Sequence, residues 1–223
     1  MRALYGENKT ITGEYDSKLA AVCDNGTFVG KEKNGILMFK GIPFAAPPVG
    51  GLRWKAPQPM EPSQEVREAY YFGKSPIQAP LNSEMASCYP NSEDCLYLNV
   101  WTPANSVDEK LPVFVWFFGG GLREGNPAEM EFDGERLARR GIIVVAVNYR
   151  LNVFGFLAHP EISKEAPDAP GNFGLLDQQA GLKWVHENSN IKLYKDDKLI
   201  DAINNLQKSI SFIEDGYKTQ YTD

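Results

Sequence analysis

Two short apolar runs that flank a triple glycine are the feature that most limits how this chain folds. The runs are Val113–Phe118 and Ile142–Val147, and both are rich in β-branched or aromatic residues. Each is far shorter than the ~20 apolar residues that a membrane-spanning helix needs. Their length and composition are typical of strands that are buried on both faces of a sheet. We therefore predict two neighbouring core strands.

The triple glycine, Gly119–Gly121, stands where the first of these strands ends. Glycine has no Cβ, so its backbone adopts conformations closed to other residues and a ligand can approach it closely. Adjacent backbone amides at the end of a buried strand are suited to binding developing negative charge. The plainer interpretation is a flexible turn, which glycines alone do not exclude.

The segment between the two strands predicts how they are arranged. FDGERLARR (Phe132–Arg140) is typical of a short helix that leads into the second strand. A strand, a helical crossover and a second strand form a βαβ unit, and such a unit implies that the two strands are parallel.

Further elements flank this unit. The patterns predict a hairpin over Ala20–Gly30 with its tight turn at Asn25–Gly26, a strand over Gly35–Gly41, an ordered proline-rich loop from Pro43 to Pro62, and a strand over Leu96–Pro103. After Asn172 the pattern becomes helical to about Asn188. The apolar face of that helix is predicted to comprise Phe173, Leu176, Ala180, Trp184 and Val185.

Several longer motifs occur together and are specific in combination. They are FKGIPFAAPPVGGLRWKAPQP (Phe39–Pro59), SEDCLYLNVWTP (Ser92–Pro103), FFGGGL with FDGERLA (Phe132–Ala138), VNYRLNVFGFL (Val147–Leu157) and GNFGLLDQQAGLKWVHEN (Gly171–Asn188). In these motifs the chain resembles the type-B carboxylesterase and cholinesterase family, whose members include para-nitrobenzyl esterases. The resemblance implies an α/β class, as an incomplete α/β-hydrolase fold with a mixed, mostly parallel sheet and an N-terminal antiparallel hairpin.

The resemblance divides the chain into three parts. Residues 1–19 are polar and aperiodic, and we predict a poorly ordered arm. Residues 20–191 match the N-terminal part of a type-B carboxylesterase domain. Residues 192–223 diverge from the family pattern, and an apolar stripe predicts one amphipathic helix there.

The resemblance also assigns roles to individual residues. Gly120 and Gly121 would supply the amides of the oxyanion hole. Two structural ion pairs are implied, Arg53 with Glu93 and Arg150 with Asp177. Judged from the residues alone, these four side chains would be solvated surface charges.

The catalytic serine, histidine and acid of such an esterase are not found in this sequence. A serine nucleophile of this fold lies in a G-x-S-x-G turn. Ser75 comes nearest, with Gly73 before it but Ile77 after it. His159 and His186 fall in a loop and in the predicted helix, where the family places no catalytic base.

Three functional interpretations follow. In the first, the chain descends from a carboxylic ester hydrolase acting on small aryl or alkyl esters. It keeps the oxyanion-hole half, lacks the nucleophile and is inactive unless the missing half completes it. In the second, it is one chain of a split esterase. In the third, it is a non-catalytic binding module, as adhesion proteins similar to this family are.

Composition excludes several other classes. The net charge is −6 and the basic residues are scattered, so neither nucleic-acid nor anionic-membrane binding is expected. Cys23, Cys88 and Cys95 form no metal-binding pattern, and we expect reduced thiols, no metal, no cofactor and a cytoplasmic protein. Without the strand that the family places beside it, Val113–Phe118 would be an exposed sheet edge that invites self-association.

Overall fold

The computed structural model describes residues 5–78, 90–104, 106, 109–165 and 171–188. The helix predicted in residues 192–223 and the side chain of Cys88 lie outside these residues. The strands, numbered along the chain, are β1 (Ala20–Cys23), β2 (Gly26–Val29), β3 (Lys31–Lys33), β4 (Ile36–Pro43), β5 (Val66–Glu68), β6 (Ser75–Pro76), β7 (Asn91–Ser92), β8 (Tyr97–Thr102), β9 (Val113–Phe117) and β10 (Ile143–Val147). The described helices are α1 (Glu135–Ala138), α2 (Asn152–Phe156), α3 (Pro160–Glu165) and α4 (Phe173–Asn188), with 3₁₀ turns at Ser17–Leu19, Gly50–Leu52 and Met130–Phe132.

The main sheet is mixed and has the strand order β3-β4-β8-β10-β9. The β9–β10 pair is parallel, as the βαβ pattern predicts, while the other three neighbouring pairs are antiparallel. The α/β class and the mixed sheet are therefore confirmed. In the described part of the sheet, however, antiparallel pairs outnumber parallel ones, because β9–α1–β10 is the one helical crossover that it contains.

Each face of the main sheet is covered by a helix. Successive side chains of a strand point to opposite faces. Val145 and Val147 of β10 accordingly pack in a cluster with Val185 of α4. Val144 and Ala146 pack on the other side with Ala138 of α1. A five-residue strand thus serves two cores, which explains why its sequence is apolar without alternation.

The predicted hairpin is present, but its turn works differently. β1 and β2 pair antiparallel and close at Cys23 and Gly26, and β5 joins them in a separate three-stranded sheet. Only Gly26 has a positive φ, of 137°. Asn25 is buried instead, and its Nδ2 donates to Pro43 O at 2.7 Å while its Oδ1 accepts from Trp184 Nε1. Asn25 therefore ties the hairpin to the rest of the domain.

The N-terminal segment differs from its prediction. Residues 5–11 lie against the domain, since Tyr5 bridges to Phe72 and Thr10 bridges to Arg67, whereas residues 12–18 are exposed. The carboxamide of Asn8 donates to the carbonyls of Lys40 and Tyr71 at 3.0 Å and accepts from two backbone amides. The polar side chain of Asn8 thus anchors the segment through two donors and an acceptor. A pattern of apolar residues does not indicate such an anchor.

Helix α4 spans the predicted residues, but its buried face is rotated. Phe173 and Val185 are buried as predicted, whereas Leu176, Ala180 and Trp184 are only partly buried. The face includes Gly174 and Gly181, where an added Cβ would lie 2.5 Å from Arg150 O and 2.6 Å from Val147 Cγ1. The helix lies so close to the sheet that glycines and an aspartate share its buried face with Phe173, Leu182 and Val185.

Strand β9 forms one edge of the main sheet in the described part of the chain. Ile143 N donates to Pro112 O, so the backbone groups of Pro112 and the even-numbered residues of β9 face β10. The N–H and C=O groups of Val113, Val115 and Phe117 then face the open edge. Phe114 is 42% exposed on the same strand.

Candidate active site

The triple glycine forms a tight reversal at the end of β9. Gly120 and Gly121 have φ of 142° and 62°, and Leu122 follows at 61°. The amides of Arg123 and Glu124 both donate to Gly120 O, at 3.1 and 3.3 Å, which closes the loop. At Gly120 an added Cβ would lie 2.0 Å from Glu124 O, so only glycine fits this turn.

The amides of Gly120 and Gly121 have no hydrogen-bond acceptor in the part of the chain that the structure describes. An ideal Cβ on Gly121 would meet nothing within 4 Å, so one side of the loop is open. Two neighbouring N–H donors beside open space can hold an oxygen that gains negative charge, at the ~2.7–3.1 Å that such donors require.

The strand end beneath this loop is fixed by Tyr149. The Tyr149 hydroxyl donates to Phe118 O at 2.7 Å, and the two rings stack with centroids 4.5 Å apart. Burial raises the pKa of Tyr149 to about 12, so the phenol keeps its proton at neutral pH and remains a donor. Tyr149 lies inside the VNYRLNVFGFL motif, but nothing in the sequence alone indicates its contact with Phe118.

Arg150 and Asp177 form a buried bidentate ion pair. Arg150 Nε lies 2.8 Å from Asp177 Oδ2, and Arg150 Nη2 lies 2.7 Å from Asp177 Oδ1. Their side chains are 3% and 0% exposed. Burial alone lowers the pKa of Arg150, but the Asp177 carboxylate outweighs it and the pKa is raised. Arg150 N donates to the same carboxylate and Arg150 Nη2 reaches Lys55 O, so the pair joins β10, α4 and the proline-rich loop.

Arg53 and Glu93 are also brought together in a bidentate pair. Arg53 Nε and Nη2 lie 2.5 and 2.6 Å from the two carboxylate oxygens of Glu93. This pair is nearer the surface, with 39% and 22% of the side chains exposed. It connects the proline-rich loop to the segment that precedes β8. After the end of β4 this loop contains no strand or α-helix of its own.

The described structure presents no nucleophile–base pair. Ser75 is 1% exposed and its Oγ accepts from Gln78 Nε2 at 2.9 Å. His159 Nδ1 accepts from Glu161 N, and His186 is exposed on α4. Cys23 and Cys95 are free thiols, and burial raises the pKa of both.

The described residues contain no group of three or more His, Cys, Asp or Glu side chains that could hold a metal ion. No described helix has both the length and the apolar character needed to cross a bilayer.

Comparison with known proteins decides the family. The model of the carboxylesterase family matches residues 18–192. This chain belongs to that family. Its sequence is 44% identical to the fumonisin B1 esterase of Sphingopyxis macrogoltabida over 174 residues, which are 78% of this chain and 32% of that protein. It is 45% identical to the para-nitrobenzyl esterase of Bacillus subtilis over 166 residues, 73% of this chain and 33% of that protein.

Solved structures agree with the sequence comparison. A para-nitrobenzyl esterase structure superposes with a TM-score of 0.68 at 41% identity and covers 77% of this chain and 35% of its own. The α/β-hydrolase fold is thereby confirmed. The chain spans about a third of the length of these relatives.

The buried ion pair generates a stability prediction. We expect Asp177→Asn to lower the free energy of unfolding by about 3–5 kcal/mol, because it leaves the Arg150 guanidinium buried without its counter-charge. Glu187→Gln is the matched control on the same helix, since Glu187 makes only an exposed 3.7 Å contact with Lys183. Urea unfolding measures both, and equal losses would contradict a special role for Asp177.

The glycine loop generates a second prediction. Gly120→Ala would drive a Cβ into Glu124 O, so we expect it to cost about 2 kcal/mol or more and to rebuild the loop. Gly121→Ala meets open space and carries only the left-handed penalty of about 1–2 kcal/mol. Thermal unfolding of both variants tests the difference, and an equal effect would show that the loop differs from the one described.

Proposed function

We propose that this chain provides the oxyanion-binding part of a serine-type carboxylic ester hydrolase. The observation that carries the proposal is the pair of unpartnered amides on Gly120 and Gly121, held at the end of a core strand beside open space. The membership in the carboxylesterase family supports it. In this role the two N–H groups would donate to the carbonyl oxygen of an ester as that oxygen becomes an alkoxide.

The remaining catalytic groups would come from sequence outside these 223 residues. A serine hydroxyl would attack the acyl carbon, with a histidine accepting its proton and an acid orienting the histidine. The alcohol would leave as the tetrahedral intermediate collapses, and water would then release the acid. Without the nucleophile this covalent route is closed, so we propose that the chain alone does not turn over esters.

The substrate class is proposed only as far as the relatives agree. Their names specify a fumonisin, a para-nitrobenzyl compound and, in a relative from Electrophorus electricus, acetylcholine. These molecules differ widely, and what the names share is an ester bond. We therefore propose small carboxylic esters as substrates.

A chimera tests the proposed function. Residues 20–191 of this chain would replace the matching segment of the Bacillus subtilis para-nitrobenzyl esterase. We expect the chimera to hydrolyse p-nitrophenyl acetate, because the chain supplies the oxyanion donors and the recipient supplies the serine, histidine and acid. The 223-residue chain alone should neither hydrolyse this ester nor react with a fluorophosphonate probe.

The controls separate loss of folding from loss of function. A folded chimera, judged by circular dichroism, that shows no activity would overturn the proposal. Stoichiometric labelling of the chain alone by the fluorophosphonate would show that it contains a nucleophile after all.

We also propose that the open edge of β9 lets two copies of this chain associate. Its outward N–H and C=O groups on Val113, Val115 and Phe117 form an unpaired row in the described structure, next to the exposed ring of Phe114. Such an edge accepts a further strand through backbone hydrogen bonds.

Two proline variants distinguish edge pairing from other association. Val115→Pro removes an outward donor and leaves the β9–β10 ladder intact, so we expect it to weaken dimerisation in sedimentation experiments while the fold survives. Phe114→Pro is the matched control, because its N–H faces β10 and its loss should reduce stability. Unchanged sedimentation of Val115→Pro would exclude the edge as the interface.

A further inference from the structure

The loop that carries Gly120 and Gly121 does not hold itself in place. Its internal hydrogen bonds are the two that Gly120 O accepts. The backbone φ is positive at Leu122 as well as at the glycines, and this conformation is costly for a residue with a side chain. Strained backbone of this kind persists only where surrounding groups determine it. Two side-chain carboxamides do so here.

The first carboxamide belongs to Gln78 and forms hydrogen bonds with both the N–H and the C=O group of Gly125. Gln78 Oε1 accepts from Gly125 N at 2.8 Å, and Gln78 Nε2 donates to Gly125 O at 2.9 Å. Gly125 in turn lies against the end of β9, since an added Cβ there would be 2.6 Å from the Phe118 ring and 2.7 Å from Gly119 O. Gln78 thereby fixes where the loop returns.

Gln78 is itself firmly placed. The two hydrogens on its Nε2 are shared among Gly125 O, Ser75 Oγ and Pro76 O, with Nε2 lying 2.9 and 3.1 Å from the last two. The backbone carbonyl of Gln78 accepts from Asn91 Nδ2 at 2.8 Å. Ser75 and Pro76 form β6, which pairs with β7, the strand that contains Asn91. The carboxamide is therefore attached to a short sheet rather than to a free loop.

The second carboxamide belongs to Asn152 and holds the middle of the loop. Asn152 Nδ2 donates to Arg123 O at 2.7 Å and to Ile77 O at 3.2 Å, while Asn152 N donates to Leu122 O at 3.0 Å. Asn152 has a φ of 54°, a conformation that asparagine tolerates better than most residues. Through Ile77 it also joins the segment that carries Gln78.

We propose that Gln78 and Asn152 are positioning residues that fix the direction of the Gly120 and Gly121 amides. This proposal rests on the proposed function for its catalytic consequence, but the geometry itself is testable without activity. The chemistry requires an amide at residue 78, because one side chain must accept from Gly125 N and donate to Gly125 O. A carboxylate accepts only, and it would face the Gly125 carbonyl without a hydrogen.

Amide hydrogen exchange on the full chain tests the positioning. Gln78→Glu keeps the size of the side chain and loses its donor, so we expect the hydrogen-bonded amides of Arg123, Glu124 and Gly125 to exchange at least about tenfold faster. Amides of β10 should keep their protection. Gln58→Glu is the matched control, since the exposed side chain of Gln58 bonds, among the described residues, only to Ala56 O of its own loop. Equal exchange at Arg123, Glu124 and Gly125 in both variants would overturn the proposal.

Asn152→Asp provides a second, independent variant. It removes the donor to Arg123 O and leaves Gln78 untouched, so it decides the question if Gln78→Glu fails to fold. We expect the same local acceleration at the amides of Arg123, Glu124 and Gly125. Unchanged exchange in a folded Asn152→Asp protein would exclude Asn152 from the positioning role.

The esterase chimera provides the catalytic readout. There we expect Gln78→Glu to lower kcat by about 10- to 100-fold with KM within about twofold, because misdirected amides bind the transition state less well than before. Faster exchange with unchanged kcat would overturn the catalytic part while the proposed function stands. An inactive parent chimera would instead defeat the proposed function, and the exchange experiment would still decide whether the two carboxamides fix the amides.

Discussion

The buried ion pair between Arg150 and Asp177 is the interaction on which the arrangement of this domain depends. Both charges are removed from water, so each must be satisfied by the other and by nearby backbone groups. This requirement brings the end of β10, the first turns of α4 and the proline-rich loop to one place. Tyr149 precedes Arg150 in the chain and reaches the carbonyl of Phe118. Tyr149 thus connects the ion pair to Phe118, the residue that immediately precedes the triple glycine.

Close approach of backbone segments is the second theme of the structure. Gly155 and Gly174 both lie where a Cβ would fall within 2.5 Å of the carbonyl oxygen of Arg150. Gly181 plays the same part against Val147. Glycine in a helix normally weakens it by about 1 kcal/mol, and here that cost is offset by packing of the helices directly on the sheet end. The close packing of these helices on the sheet leaves little conformational freedom for the loop that carries Gly120 and Gly121.

The sequence predicts the hairpin, the strands β4, β8, β9 and β10, the parallel β9–β10 pair and the span of α4, because apolar runs and periodicity indicate burial. It does not predict the two- and three-residue strands β3, β5, β6 and β7, which are too short to show a period. It does not predict which face of α4 is buried, since Asp177 and Gly181 occupy contact positions that a hydrophobicity pattern treats as exposed. It also misses Asn8, Asn25, Gln78 and Asn152, all of which act through carboxamide bonds to distant backbone. Polar bonds between segments far apart in sequence leave no periodic trace. The ion pairs come from family resemblance alone.

The direction of the backbone groups along β9 links the pairing of a further strand to the geometry of the glycine loop. Val113, Val115 and Phe117 expose their N–H groups on the side away from β10, and the strand runs straight into Gly119 and Gly120. A parallel strand that paired along the whole of this edge would therefore end beside the Gly120 and Gly121 amides. A shift of two residues in its alignment would carry its last side chain about 6.6 Å along the sheet. The hydrogen-bond register of such a strand would therefore determine where its last side chain lies relative to the glycine loop. A catalytic centre completed at this edge would depend on that register for its geometry.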